Sequence, residues 1–418
     1  MTTVAGEAWF QEAGLQRVLA LLNADGGEGR VVGGAVRNSL LGLAVSDIDI
    51  ATTLLPELVV ERAKAAGIKA VPTGIAHGTV TLVIDGKPFE VTTLRRDVET
   101  DGRHAQVAFS EDWQVDAERR DLTINALYAA SDGEVIDLVG GLADLERRNI
   151  RFIGDATRRI AEDYLRILRF FRFFAHYGSG RPDADGLRAC AAARSKLASL
   201  SAERVWSEMK KLLAAKDPGR ALLWMRQVAV LAEVLPETEK WGIDAIPALI
   251  STEEALGWTP DPMLRLAAII PPDAARLAKL ATRLRLSKAE TAYLLDWANA
   301  PAIRDDISEA AFDRLLYRHE ASGISIRLKL ALAVARGKAE GDFEEMARTA
   351  RITKLLDRAA KWKKPSFPVN GADALAAGMS AGPRVGEILG KLEQQWSDGN
   401  FSMTRSALLA RLKELIES

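Results

Sequence analysis

Residues 30–53 decide the fold of this chain, and they read RVVGGAVRNSLLGLAVSDIDIATT. The apolar run at 30–33 predicts a short strand, and the glycine pair at its end opens a short helix over 35–42. Residues 46–52 predict a second strand, because apolar and polar residues alternate there. A strand, a glycine turn, a helix and a strand in so short a segment indicate an α/β unit near the start of the chain.

Two acidic residues stand one position apart in the second of these strands. Side chains at positions i and i+2 point to the same face, so Asp47 and Asp49 should project together while Ile48 and Ile50 are buried. Carboxylates held this close repel each other unless a cation lies between them. Mg²⁺ is usually bound by one or two carboxylates plus substrate phosphates, and a glycine turn that opens a helix offers N–H groups to phosphate. The pattern therefore indicates nucleotide chemistry; the alternative is a loop with two surface acids.

Composition sets broad limits on the class of protein. The 418 residues carry a formal net charge of −1, with 48% apolar and 27% charged residues, which is typical of a soluble chain of several domains. The charge is unevenly distributed, because Arg151–Arg220 holds fifteen Lys and Arg against eight Asp and Glu, a net charge of +7. This asymmetry is compatible with a surface that binds a polyanion, and also with ordinary solvated helix surfaces.

Cysteine, histidine and hydropathy exclude several other classes. Cys190 is the only cysteine, so neither an intrachain disulfide nor a cysteine metal site can form. A His-Asp metal phosphohydrolase is excluded because Asp follows none of the four histidines, which are His77, His104, His176 and His319. No run of about 18 apolar residues predicts a membrane span. The N-terminal sequence MTTVAGEAWFQEAG lacks the basic and then apolar pattern of a signal peptide, so we expect a cytoplasmic protein.

A β-hairpin is predicted downstream and supplies a third acid. Residues 79–84 and 88–94 are rich in β-branched residues, and the Asp-Gly sequence between them is a hairpin turn signal. Glu90 lies on the second of these strands, with Phe89 and Val91 on the opposite face. A third carboxylate from a neighbouring strand is what a site with two metal ions needs to hold both against one phosphoryl group. The alternative is a solvated strand glutamate.

The rest of the chain is predicted as one long loop and a series of helices. The polar stretch 97–117 has little periodicity and is expected to be a loop of the length that is often functional or mobile. Residues 156–177 predict one long helix, with Asp155 as its cap and Gly178 at its end. From there to the end, helical segments alternate with short breaks. The architecture is therefore an α/β head followed by an all-helical remainder.

The string RRDLTINA at 119–126 carries candidate nucleotide contacts. Asp121 and Asn125 are i, i+4 neighbours on a predicted helix and can clasp a ribose hydroxyl, while Arg120 can bind a phosphate. The alternative is a helix start in which Asp121 complements the dipole.

The string EDYLRILR at 162–169 carries a candidate base reader. Asp163 and Arg166 are i, i+3 neighbours, and an acceptor beside a donor can match the Watson–Crick edge of a base. The alternative is an intrahelical ion pair between Glu162 and Arg166. The phenylalanines that follow this string are predicted to pack in the core.

Taken together, these strings resemble the class II nucleotidyltransferase family, whose members include tRNA CCA-adding enzymes and bacterial poly(A) polymerases. Their order and spacing also match over about residues 30–215, and the C-terminal string FPVNGADALAAGMSAGPRVGEIL is weakly similar to the tail of CCA-adding relatives. The matching segments are Gly33–Arg37, Asp47–Asp49, Glu90 within FEVTTLR, Arg119–Ala126, Asp137–Gly141 with Asp144 and Leu145, and Glu162–Arg166.

The resemblance implies an α+β fold in which an N-terminal polymerase-β-like nucleotidyltransferase head with a mixed sheet is followed by an all-helical neck, body and tail. The implied bounds are 1–150 for the catalytic head, 151–220 for the neck that recognises the base, 221–362 for the body, and 363–418 for the tail that binds tRNA. Residues 95–117, with DGRH at 101–104, correspond to the flexible loop of the family, which is tied to the switch from C to A addition.

The resemblance also implies the site. Asp47 and Asp49 bind the catalytic metals, expected to be two Mg²⁺ ions, and Glu90 is the third catalytic acid. The other implied contacts are all with the nucleotide: Gly33, Gly34 and Arg37 for the triphosphate, Arg120, Asp121 and Asn125 for ribose and phosphates, Asp163 and Arg166 for the base, and Arg169 beside them.

The implied activity is template-independent addition of C, C and A to the 3′ end of tRNA from CTP and ATP, with loss of pyrophosphate. The implied partners are tRNA and the two nucleotides, with no membrane and no obligate protein partner. A poly(A) polymerase or a partial enzyme adding only CC or only A is the alternative within the class, and an inactive RNA-binding protein on the same fold is the alternative outside it. The chain departs from the family at Asn38, where Asp is common, at Leu122, where Phe is frequent, and at Leu138, where Pro is frequent.

Overall fold

The computed structural model describes residues 2–101, 104–239 and 241–417. The chain forms two compact units, one ending at Pro236 and the other beginning at Glu237. This division does not test the four predicted domain bounds, which stay predictions. No helix in the described ranges is long and apolar enough to cross a membrane.

The first unit is built on a mixed seven-stranded sheet. Its strand order is β3-β4-β5-β2-β1-β8-β9, and β6 and β7 pair separately. The strands are β1 Gly29–Val32, β2 Asp49–Thr52, β3 Lys69–Gly74, β4 Thr79–Ile84, β5 Lys87–Thr93, β6 Arg95–Asp101, β7 His104–Phe109, β8 Leu127–Ala129 and β9 Val135–Asp137.

The central strands set the register of the acidic residues. β2 pairs antiparallel with β1 and parallel with β5, and in the parallel pair Asp49 lies opposite Glu90. The predicted hairpin between β4 and β5 is confirmed, with Asp85 and Gly86 at φ 50° and 81° as a two-residue turn requires. The mixed sheet of the predicted head is therefore present.

Two predictions in this region were wrong. The strand predicted over 46–52 begins only at Asp49, so Asp47 precedes it, although Ile48 and Ile50 are buried as expected. The stretch 97–117 is not one long loop: β6 and β7 pair antiparallel, and a helix starts at Trp113. Strand pairing uses backbone groups that every non-proline residue carries, so a polar sequence without alternation can still form it. Gly102 and Arg103 of the predicted flexible loop lie outside the described residues.

Helices pack around the sheet and continue beyond it. They are α1 Ala13–Leu22, α2 Gly34–Leu40, α3 Pro56–Ala65, α4 Trp113–Glu118, α5 Gly141–Glu146, α6 Ala156–Glu162, α7 Leu165–Tyr177, α8 Ala184–Ala193, α9 Ala202–Leu213, α10 Gly219–Gln227 and α11 Val230–Val234, with 3₁₀ turns at Ile75–His77, Thr123–Asn125, Arg194–Ser199 and Pro236–Thr238. The predicted core role of the phenylalanines on α7 is confirmed, because Phe170 and Phe171 are fully buried and Phe170 stacks on Phe152 at 5.3 Å.

The single helix predicted over 156–177 is two helices. Asp163 has extended backbone angles, φ −155° and ψ 107°, and ends α6. Its Oδ1 accepts a hydrogen bond from the Leu165 N–H at 3.1 Å, at the start of α7. Aspartate competes in this way for backbone donors and so breaks helices that apolar periodicity alone would continue. The predicted end at Gly178 is confirmed.

The second unit consists of helices in its described part. They are α12 Ala245–Leu256, α13 Pro262–Ile269, α14 Ala274–Leu284, α15 Lys288–Asn299, α16 Glu309–Arg318, α17 Ala321–Lys338, α18 Phe343–Lys361, α19 Gly371–Ala376, α20 Pro383–Asp398 and α21 Arg405–Glu417. One core gathers Phe312, Ile324 and Leu332, and another gathers Ala374, Leu392 and Leu408. The α+β fold with a helical remainder is therefore as predicted.

Candidate active site

A cavity of about 480 Å³ opens in the first unit where β1 and β2 meet α2, α7 and α9. Seven arginines and three aspartates line it, so its wall is strongly cationic. We call the arginines the arginine wall: Arg37, Arg119, Arg120, Arg166, Arg169, Arg172 and Arg204. The aspartates are Asp49, Asp121 and Asp163, and the remaining lining residues include Gly33 and Gly34.

Asp49 lines the cavity and has two acidic neighbours, Asp47 and Glu90. We call Asp47, Asp49 and Glu90 the acidic edge; all three are exposed, and Asp49 and Glu90 are direct partners on neighbouring strands. Loss of hydration raises the pKa of Asp49 above its ordinary value, and the negative charges of Glu90 and Asp47 raise it further, against the opposing effect of Arg120. The three carboxylates therefore interact electrostatically, as a cation site requires.

The acidic edge offers hard oxygen ligands, which is the donor type that Mg²⁺ takes. Within the described ranges, no three His, Cys, Asp or Glu side chains converge closely enough to enclose a metal ion. A site of two carboxylates completed by substrate phosphates does not need such a cluster. The residues therefore fit a magnesium site that is completed by a nucleotide.

The glycine turn lies between β1 and α2 and lines the cavity. Gly33 precedes α2 with φ 73°, and a Cβ there would lie 3.3 Å from the Asn125 carbonyl oxygen. Only glycine adopts this conformation readily. The first N–H groups of α2 have no partner within the helix, and Gly34 at its start lines the cavity.

A buried aspartate that sequence reasoning missed holds part of the arginine wall. Asp116 is 1% exposed; its Oδ1 accepts from Arg119 at 2.6 Å and its Oδ2 accepts from Arg120 at 2.9 Å. Burial alone raises the pKa of Asp116, but Arg120, Arg119 and the Tyr128 hydroxyl outweigh it and hold the pKa below its ordinary value. The i+3 and i+4 spacing of the two arginines from Asp116 was a signal that could have revealed this cluster.

The predicted pair Asp121 and Asn125 is formed, although not on a helix. Asn125 ends a 3₁₀ turn, and its Nδ2 donates to Asp121 Oδ1 at 3.0 Å. The other oxygen of Asp121 accepts from Arg169 Nε at 2.6 Å. Burial raises the pKa of Asp121, but Arg169 and Asn125 lower it more, so the carboxylate stays ionised. The expected helical spacing was wrong because the segment after α4 turns back into the sheet.

Asp163 and Arg166 both line the cavity, but they do not project from one helix. Asp163 Oδ2 accepts from Arg204 on α9 at 2.6 Å. Arg166 forms an ion pair with Glu162 and donates to the Arg159 carbonyl oxygen at 2.8 Å. The alternative Glu162–Arg166 pair is thus present across the break between α6 and α7.

Several further wall residues come from segments distant in the sequence. Arg172 on α7 pairs at 2.6 Å with Glu208, a buried acid on α9, and stacks on Phe173 at 4.2 Å. Arg204 also reaches the cavity from α9. No local motif marks these residues, because packing of α7 against α9 brings them together.

Comparisons with known proteins agree with this architecture. Residues 29–151 match the family model described as the Poly A polymerase head domain, and residues 182–241 match that of a probable RNA and SrmB-binding site of polymerase A. The chain is similar to the mitochondrial CCA tRNA nucleotidyltransferase 1 of Mus musculus, at 35% identity over 96% of this chain and 90% of the relative. It is also similar to the CCA-adding enzyme of Levilactobacillus brevis, at 31% identity over 95% of this chain and 96% of the relative.

A solved structure shares the fold from end to end. The crystal structure of the Bacillus stearothermophilus CCA-adding enzyme in complex with CTP superposes with a TM-score of 0.69 at 28% identity, covering 98% of each chain. The predicted family resemblance is thereby confirmed, and the similarity extends over nearly the whole chain. The chain belongs to the family of CCA tRNA nucleotidyltransferases, the CCA-adding enzymes.

Proposed function

We propose that this protein adds C, C and A in turn to the 3′ end of tRNA, using CTP and ATP. The observation that carries the proposal is one cavity that is lined by seven arginines and by Asp49, the strand partner of Glu90. In the reaction the terminal 3′-oxygen bonds to the α-phosphorus, the bond to the β-phosphate breaks, and pyrophosphate leaves.

The arginine wall and the glycine turn suit a triphosphate. Gly33 forms the turn, and its own N–H donates to the Leu127 carbonyl oxygen at 2.9 Å. Gly34 at the start of α2 can therefore offer its backbone N–H group to a phosphate, and Arg37 adds a cation nearby. Arg120, Asp121, Asn125 and Arg169 contact the ribose and phosphates in this proposal. Arg120 and Arg169 are each fixed by a buried carboxylate, so little order has to be gained when a phosphate binds.

The acidic edge is the proposed metal site. Asp47 and Asp49 hold Mg²⁺, with Glu90 as a third acid, and two ions are expected. Bound Mg²⁺ supplies charge neutralisation at the phosphates and makes the attacking hydroxyl more acidic. The carboxylates themselves orient the site, because Asp49 and Glu90 are fixed by the parallel pairing of β2 with β5.

Base selection is assigned to Asp163 and Arg166. An acceptor and a donor on the cavity wall can bind the Watson–Crick edge of cytosine or adenine. Their present partners, Arg204 and Glu162, hold both side chains at the cavity, so a bound base competes for groups that are already ordered.

The proposed macromolecular substrate is tRNA, and the proposed compartment is the cytoplasm. The net charge of +7 over Arg151–Arg220 overlaps the segment similar to a probable RNA-binding site and supports contact with a phosphate backbone. Some relatives are named as mitochondrial proteins, so the compartment is a proposal, and the single cysteine is compatible with a reducing compartment. That no obligate protein partner is needed stays a prediction.

The test is incorporation by the purified protein. A tRNA lacking its 3′ CCA is incubated with labelled CTP and ATP and Mg²⁺, and the products are resolved by length and composition. We expect three added residues, C, C and A. Addition of C alone, of A alone or of long A tracts would assign the protein to a partial enzyme or a poly(A) polymerase. Binding of tRNA without any incorporation would identify an inactive RNA-binding protein.

A further inference from the structure

The guanidinium of Arg37 has an unusual set of neighbours. The residue is 6% exposed, yet it lines the cavity. Its Nη1 donates to Asn125 Oδ1 at 2.5 Å, its Nε and Nη2 donate to Asn38 Oδ1 at 3.2 and 3.0 Å, and its Nη2 also donates to the Tyr177 hydroxyl at 2.9 Å. All these acceptors are uncharged.

None of these direct contacts compensates the positive charge of Arg37. In the described ranges no carboxylate lies within ion-pair distance of Arg37, whereas Arg119, Arg120, Arg169 and Arg172 each have a carboxylate partner. Burial lowers the pKa of Arg37 and the charge of Arg172 lowers it further, while Tyr177 and the more distant carboxylate of Asp121 oppose this effect. A buried cation without a counter-charge in direct contact is costly unless an anion binds to it.

One N–H group remains for such an anion. A guanidinium carries five N–H donors, and the contacts above use four of them, which leaves a single donor on Nη1. The direction of this N–H bond is set by the groups that fix the plane of the Arg37 guanidinium. Asn38 and Asn125 act from its edge, and the Tyr177 ring covers its face at 4.1 Å.

Tyr177 comes from a later part of the chain than Asn38 and Asn125. It is the last residue of α7, 140 positions from Arg37, and the same helix carries Arg169 and Phe173 at the cavity. Phe173 also lies near the guanidinium, at 5.1 Å, and Tyr177 lies 5.7 Å from Phe173. The C-terminal end of α7, the helix that follows Asp163, therefore helps to set the orientation of the Arg37 guanidinium.

We propose that Tyr177 is a positioning residue for the triphosphate: its hydroxyl and ring hold the Arg37 guanidinium so that the remaining N–H group faces the phosphates. The inference rests on the proposed function, because it assigns Arg37 to a nucleotide phosphate. Tyr177 acts through Arg37 and touches neither the base nor the reacting atoms. It therefore affects CTP and ATP equally.

The experiment compares Tyr177→Phe and Tyr177→Leu with the unaltered enzyme. Steady-state incorporation gives KM and kcat for CTP and for ATP, and inorganic pyrophosphate as a competitive inhibitor reports phosphate binding without a base. For Tyr177→Phe we expect both KM values and the inhibition constant of pyrophosphate to rise together by about three- to tenfold, with kcat changed by less than about twofold. Tyr177→Leu, which also removes the ring, has a larger effect of the same kind.

Two further variants separate positioning from packing. In an Arg37→Gln background, Tyr177→Phe should add nothing to the loss of pyrophosphate binding, because the residue through which it acts is gone. The control is Tyr293→Phe, which removes a comparable hydroxyl contact, to Asp261 at 3.0 Å, in the second unit. It should leave both KM values and the inhibition constant unchanged.

Three outcomes overturn the inference. One is a Tyr177→Phe enzyme with unchanged KM and pyrophosphate inhibition. Another is a change of KM for only one of the two nucleotides, which would put Tyr177 in base recognition. The third is an additive effect in the Arg37→Gln background, which would make its role one of general packing. If the unaltered protein neither incorporates nucleotides nor binds pyrophosphate, the proposed function itself fails. If the unaltered protein does both and one of the three outcomes above is found, only the role of Tyr177 fails.

Discussion

The acidic edge, through Asp49, and the arginine wall meet at the same cavity, but their charged groups are organised in opposite ways. In the described chain, no ion pair holds Asp47, Asp49 or Glu90, and all three are exposed. The arginine wall is paired with carboxylates except at Arg37: Arg119 and Arg120 share Asp116, and the other arginines pair with Asp121, Glu208, Glu162 and Asp163.

This difference separates two kinds of site. Carboxylates without partners repel one another and gain from a cation that arrives from solution. Arginines that are already paired keep their charge, although the partner carboxylate offsets part of its field, and their geometry is fixed, so they bind an oriented anion at a small entropic cost. Arg37 is the exception within the wall, since its partners are uncharged. In the proposed function the acidic edge therefore holds a metal ion and the arginine wall holds a large, oriented anion.

The largest expected effect comes from a substitution in the acidic edge. Asp49→Asn removes one charged metal ligand, and we expect incorporation to fall at least about 1000-fold while tRNA binding is retained, because metal ions contribute several kcal/mol to such transfers. The measurement is single-turnover incorporation together with tRNA binding. Asp85→Asn is the matched control, since Asp85 is an exposed turn residue at φ 50°, a conformation that asparagine also adopts. Normal incorporation by Asp49→Asn would refute its metal role.

The second expected effect comes from removing the carboxylate that holds Arg119 and Arg120 of the arginine wall. Asp116→Asn leaves Arg119 and Arg120 without a counter-charge, and we expect the free energy of unfolding to fall by about 3 kcal/mol, measured by denaturant titration. Asp185→Asn, which breaks an exposed pair with Arg188, should cause no measurable loss. Equal stability of Asp116→Asn and the unaltered protein would show that the wall does not depend on this carboxylate.

The same variant predicts a pH dependence of stability. The pKa of Asp116 in the folded protein lies below its ordinary value of 3.8, so its contribution is fully present above pH 3.8 and is lost as the pH falls through the lowered folded pKa. The difference in stability between the unaltered protein and Asp116→Asn should therefore be constant near neutrality and narrow in this acidic window. A difference in stability that grows as the pH falls would contradict the ionised state of Asp116.

The smallest of these effects concerns base choice. Asp163→Ala removes one half of the proposed base reader, and we expect the preference for CTP over UTP in kcat/KM to fall by about ten- to a hundredfold, the value of one good polar contact with a base. Asp155→Ala is the control, because it removes an acid that caps α6 through the Arg158 N–H and does not line the cavity. Unchanged selectivity in Asp163→Ala would remove the base-reading assignment and leave Asp163 as a partner of Arg204.

Local features of the site could be predicted where short-range rules decide the structure. The turn at Gly33 requires a glycine, the hairpin at Asp85-Gly86 requires residues that tolerate positive φ, and the burial of Ile48 and Ile50 follows from alternation. The helix over 156–177 shows the limit of such rules. Its apolar periodicity continues through Asp163, but the aspartate takes a backbone N–H for itself and ends the first helix.

By itself, the sequence determined the order of the motifs, the α+β class and the identity of the acids and cations that are proposed to bear chemistry. Only the tertiary structure decided which of them meet. Glu90 lies opposite Asp49 because of parallel strand register, Arg204 reaches Asp163 by packing of α9, and Tyr177 meets Arg37 across 140 positions of chain. The physical reason is that dihedral preferences and periodicity act over a few residues, whereas such pairs form only when buried surfaces from distant segments close on one another.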